Sequence, residues 1–111
     1  MIDSWLLRDG EVLAALEVAE TREERVTGLL GRQGIDGAIL LRPARSVHSV
    51  GMMFTIDVAF CTKDLVVLRT ICLRPGRMTR PCLRGGVVIE AERGAFDRWK
   101  LRPGDRLEIR E

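Results

Sequence analysis

The chain has 111 residues, of which 46% are hydrophobic and 31% charged, and a net charge of +2. That length supports one hydrophobic core, and that balance is the composition of a globular protein and not of a disordered one. The uncharged apolar runs Gly37–Leu41 and Leu65–Leu68 are far too short to cross a bilayer, and MIDSWLLRDGEV lacks the basic start and long apolar stretch of an export signal, so a single cytoplasmic domain over residues 1–111 is expected.

In chain order, SWLLRDGEVLAALEV predicts a hairpin turning at Asp9-Gly10, because a tight primed turn needs positive φ at both central positions. In its second strand Val12, Ala14, Leu16 and Val18 share one face, predicted to be the buried one. ETREERVTGLLGR predicts a helix: Thr21 and Glu24 make a capping box, Val26, Leu29 and Leu30 recur at helical spacing, and Gly31 is the predicted terminator. Gly28, inside that pattern, disfavours helix and points to a close approach there or to a shorter helix. AILLRPARSVHSV reads as two extended pieces broken at Pro43, and DVAFCTKDLVVLRTICL as two strands joined near Lys63-Asp64. Their nearly continuous apolar character fits strands covered on both sides. RPGRMTRP is a loop, GGVVIEAE a strand, GAFDRWK a short helix with Ala95, Phe96 and Trp99 on one side, and RLEIR a final alternating strand. Short connections and an excess of strands over helices predict a mainly β fold of α+β type, a compact β-sandwich or partial barrel with two short helices packed against it.

Charge is unevenly spread. Residues 1–36 hold eight acids and four bases, residues 37–89 two acids and eight bases, and sixteen of the eighteen cations are arginine. Cys61, Cys72 and Cys82 form no C-x-x-C, and His48 is the single histidine, so neither a metal site nor a cofactor is implied and free thiols are expected, with Cys72 and Cys82 flanking a turn.

Three segments together, ETREERVTGLLGR, HSVGMMFTIDVAF and VVIEAERGAFDRWKLRPGD, resemble the uncharacterised family known as domain of unknown function 192. The resemblance falls on Thr21, Arg25, Gly28, Leu29, Leu30 and Arg32, then on Ile56, Asp57, Val58 and Phe60, then on Ile89, Glu90, Gly94, Gly104 and Asp105. Thr55 stands where relatives usually have proline. The resemblance implies a compact β-rich fold with a shallow groove, and it brings no established activity with it.

Asp57 lies between Ile56 and Val58 in an apolar strand, where an unpaired carboxylate is costly, so a partner is expected: Arg25 or Arg32 of the helix, or backbone N–H groups. The leading expectation is a groove between the first helix and the His48–Asp57 segment that binds a small ligand. Its residues would be Arg25, Gly28, Arg32, His48 and Asp57, and its guanidinium groups suit an anionic ligand. One alternative is a hydrolase or transferase using His48 and Asp57, although no G-x-S-x-G elbow accompanies Ser46 or Ser49. Another is a nucleic-acid or protein interaction module built on Arg42, Arg45, Arg69, Arg74, Arg77, Arg80 and Arg84; the lack of interleaved aromatic residues disfavours nucleic acid.

Overall fold

The structure is a computed structural model describing residues 2–111. Seven strands and two short helices follow in the order β1 (Ile2–Arg8), β2 (Glu11–Ala19), α1 (Arg22–Thr27), β3 (Ala38–Leu41), β4 (Ile56–Cys61), β5 (Val67–Leu73), β6 (Val87–Glu92), α2 (Ala95–Trp99) and β7 (Glu108–Arg110). They build one sheet in the order β5-β4-β6-β3-β2-β1-β7. Only β2 and β3 run parallel, and the crossover that parallel strands require carries α1. The two edges of the sheet touch through a bridge between Val66 and Arg106, flanked by hydrogen bonds from Val67 N–H to the Asp105 carbonyl (2.8 Å) and from Leu107 N–H to the Leu65 carbonyl (2.9 Å). β5 and β7 themselves do not pair, so the sheet is a partial barrel and not a closed one.

The first hairpin turns as its sequence requires, with φ of 53° at Asp9 and 78° at Gly10. One expectation fails in its second strand. Leu6 faces Ala14 but Leu7 faces Val12, so Leu13 is an extra residue in a β-bulge. Past the bulge the alternation inverts, which leaves Val12 54% exposed and sets Leu13 against the core instead.

α1 starts with the capping box: Glu24 N–H donates to Thr21 Oγ1 and Thr21 N–H donates to Glu24 Oε1, both at 3.1 Å. It stops earlier than its pattern suggests, because Gly28 takes φ 44°, ψ −120° and turns the chain away. The helix is therefore six residues long, Gly31 lies beyond its end, and Val26 is 60% exposed. Leu29, in the turn that follows, is the residue that enters the core.

Each face of the sheet carries its own apolar cluster. One includes Leu6, Leu16, Val18, Leu40, Ala59, Ile89 and Ala91, and is covered by Ala95 and Phe96 of α2 and by Leu101 and Leu107. The other includes Ile39, Ile56, Val58, Phe60 and Val88, and is covered by Leu29, Ile35, Val47 and Met52 from the segments around α1 and between β3 and β4. Strand β4 is buried along its whole length, as its continuous apolar pattern requires, whereas β5 is an edge with Arg69 and Cys72 exposed. Among the described residues no helix is long and apolar enough to cross a membrane.

Candidate functional site

The period-2 alternation of strands assigns the two buried acids of the sheet to opposite faces. Asp57 on β4 pairs with Ala91 and shares the face of Ala59, whereas Glu90 on β6 pairs with Val58 and Ile39 and shares the face of Val88. Both are almost fully buried, at 8% and 3% exposed. Their surroundings differ in kind.

Asp57 is satisfied by backbone. Its Oδ2 accepts hydrogen bonds from Gly94 N–H (3.0 Å) and Phe96 N–H (3.1 Å). Gly94 is the N-terminal cap of α2 and has no side chain to perform that task, so the carboxylate of a strand thirty-seven residues earlier caps the helix from outside. Of the partners expected for Asp57, backbone N–H groups are the ones it meets, and Arg25 and Arg32 are not. Arg32 makes a two-pronged pair with Glu17 on β2, at 2.7 and 2.9 Å, and Arg25 Nη1 donates to the Glu20 carbonyl. The Glu17 partnership lowers the carboxyl's pKa through hydrogen bonding from Arg32 and raises that of the guanidinium. Asp57 thus belongs to the α2 face, where it lines a shallow groove with Cys72, Arg93 and Gly94.

Glu90 has no hydrogen bond or ion pair among the described residues. Burial alone pushes its carboxyl from 4.5 up to about 7. It lies on the floor of a cavity of about 80 Å³ lined by Arg25, Gly28, Leu29, Ser46, Val47, His48 and Met52, among others. A methyl carbon built on Gly28 would sit 3.6 Å from the Arg25 carbonyl oxygen and 4.0 Å from Glu90 Oε1, so the missing side chain at Gly28 opens the space above the carboxyl. Of the five predicted site residues, three come together here: Arg25, Gly28 and His48. Asp57 is on the opposite face, and Arg32 is occupied by Glu17.

The segment that carries His48 is held by its neighbour. Ser49 is fully buried; its hydroxyl donates to the Arg74 carbonyl and accepts from Arg77 N–H (2.9 Å), and its N–H donates to the Arg77 carbonyl (2.8 Å). That staples residues 47–49 to the arginine-rich loop and leaves His48 exposed at the cavity mouth, bridged to Met78. The hydroxyl of Ser49 is committed to structure. With His48 at this mouth and Asp57 capping α2, no acid–base pair of His48 and Asp57 exists, and the hydrolase or transferase reading founded on that pair falls.

The sequence carries a signal for Glu90 as well as for Asp57. VVIEA places an acid in an apolar strand just as TIDVA does, and Glu90 was itself one of the positions of the family resemblance. All three cysteines are free; burial pushes the Cys61 thiol up to about 12, and its near neighbour is Cys82 and not Cys72. No group of three or more His, Cys, Asp or Glu side chains able to hold a metal ion occurs among the described residues.

A mainly β single domain with one partial barrel and one acid-floored cavity is therefore the class of protein defined by the fold and site. The family model described as DUF192, uncharacterized ACR, matches residues 5–109, and the chain belongs to that family, whose function is unknown. A curated relative, UPF0127 protein PH1112 of Pyrococcus horikoshii, is 28% identical over 109 residues, which cover 94% of this chain and 89% of that protein. Among solved structures, a protein of unknown function from Novosphingobium aromaticivorans superposes with a TM-score of 0.77 at 17% identity, over 96% of this chain and 84% of its own. A Sinorhizobium meliloti protein, assigned only provisionally as a transcription regulator, superposes with a TM-score of 0.81 at 19% identity, over 96% and 92%. At such identities these two structures share the fold and nothing more is carried over.

Proposed function

We propose that this domain binds a small organic molecule in the cavity between α1 and residues 46–52, with Glu90 as the recognising group, Gly28 as the opening and His48 at the mouth. One observation carries the reading: Glu90, a residue only 3% exposed, lines a cavity with its carboxyl unpartnered among the described residues. Burying such a group without compensation destabilises a fold, and nothing in the packing of β6 calls for it. Buried acids with displaced pKa values in concave sites are where binding and proton chemistry concentrate. Leu29, Val47 and Met52 supply an apolar wall for the rest of the ligand. An acid on the floor favours a ligand that brings hydrogen-bond donors over the anionic one expected from the arginine count. The cytoplasm is the proposed compartment, because the three free thiols suit a reducing environment.

A fragment library screened by amide chemical-shift mapping tests this reading. Binding fragments are expected to displace the resonances of Gly28, Leu29, Val47 and Met52. Hits confined to the groove beside Asp57, or scattered over the surface, overturn it.

A second reading has its own observation. Arg74, Arg77, Arg80 and Arg84 are exposed, no ion pair engages them among the described residues, and Met78 and Leu83 beside them are 77% and 82% exposed. This face suits an acidic protein partner, whose affinity would fall steeply between low and moderate salt.

A further inference from the structure

We propose that the group recognised at the floor of this cavity is a primary amine, held as its ammonium between the Glu90 carboxylate and the Arg25 carbonyl. The inference rests on the binding reading above and names the chemistry that the site selects.

Its basis is the geometry at the end of α1. The point where a Gly28 side chain would begin lies within 4.0 Å of two hydrogen-bond acceptors, Glu90 Oε1 and the Arg25 carbonyl oxygen. The Arg25 guanidinium does not fill that space, because it reaches back to the Glu20 carbonyl, at the other end of the helix from Gly28. Apart from Gly28 and its two chain neighbours, no other heavy atom lies within 4 Å of that point, and two such acceptors are complementary to a group with several N–H bonds and no lone pair, which is an ammonium. A carboxylate ligand would meet like charge and an acceptor. A hydroxyl supplies one donor for two acceptors. The other charged groups on the elements around Glu90 do not compete: Arg32 is bound to Glu17, which lies on the same cross-strand row, roughly 10 Å away across Ile39, and His48 stands exposed at the mouth. The cavity of about 80 Å³ suits a compact head group, and its apolar wall then meets the carbon chain behind the nitrogen.

The test titrates n-butylamine, 1-butanol and butyrate into the full chain at neutral pH, followed at the Gly28 and Leu29 amides, with wild type and Glu90→Gln compared. The amine is expected to bind at least ~10-fold more tightly than the alcohol, butyrate is expected to bind least, and Glu90→Gln is expected to bring the amine down to the level of the alcohol. Alcohol and amine binding equally in the cavity would overturn the amine assignment and leave the binding site standing. If none of the three perturbs these amides, site and assignment fall together. Should Glu90→Gln not fold, Glu90→Asp, which withdraws the carboxylate by one methylene, must still weaken the amine more than the alcohol.

Discussion

Asp57 and Glu90 occupy adjacent strands of the same sheet, one residue out of phase, and their fates differ because of what covers each face. On the α2 face, the chain returns from β6 through Gly94 and directs two N–H groups at Asp57. On the α1 face, the helix breaks at Gly28 and presents a carbonyl and an opening to Glu90. The first acid organises a helix. The second is left for something else to satisfy. Burial alone therefore does not mark a functional acid; the difference lies in whether the covering element offers donors or acceptors.

The largest expected effect concerns Glu90 and pH. Its carboxyl is neutral in both folded and unfolded chains well below 4.5; between 4.5 and about 7 the unfolded chain gives up its proton first, so stability falls as pH rises, and above that window the loss is complete. A displacement from 4.5 to about 7 corresponds to a loss of ~3 kcal/mol. Urea unfolding across this range is expected to show the decline in wild type and to lack it in Glu90→Gln; parallel curves for the two proteins would show that Glu90 is not the titrating group.

Removing the satisfied acid acts in the opposite sense. Asp57→Ala strands the N–H groups of Gly94 and Phe96 and is expected to destabilise the domain by ~1–3 kcal/mol, with faster amide exchange at Phe96. Because one oxygen accepts both bonds, Asp57→Asn can keep them and should lose much less. Equal losses from Ala and Asn would mean that charge, and not the acceptor, matters there.

The smallest effect belongs to Arg32→Ala. It breaks a pair whose side chains are 32% and 29% exposed, which is expected to remove ~0.5–1 kcal/mol in a salt-sensitive way and to leave cavity binding unaltered. Loss of binding in that variant would return Arg32 to the site.

Much of this architecture was legible in the sequence. Asp9-Gly10 announced the hairpin, Thr21 and Glu24 the start of α1, and the unbroken apolar run of β4 its burial on both sides. What was hidden depended on register. No local rule reveals that Leu13 is bulged, and so Val12 was placed on the wrong face. Nor does any local rule say that Asp57 lies opposite Ala91 and not Glu90, which alone decides that the acid turns towards α2 and away from Arg25. Gly28 was singled out as anomalous in a helical pattern, but its role as a terminator required its φ of 44°.

The contact between Val66 and Arg106, together with the pairing of β1 with β7, has a consequence for biogenesis. Strand β1 receives its outer neighbour only when residues 108–110 have been made, and the rim of the barrel is fastened at the same later moment. Until then the nascent domain carries two open strand edges, the places where a chain recruits stray partners. The short strand β7 thus covers the outer edge of β1 and brings the two rims of the sheet into contact at Val66 and Arg106.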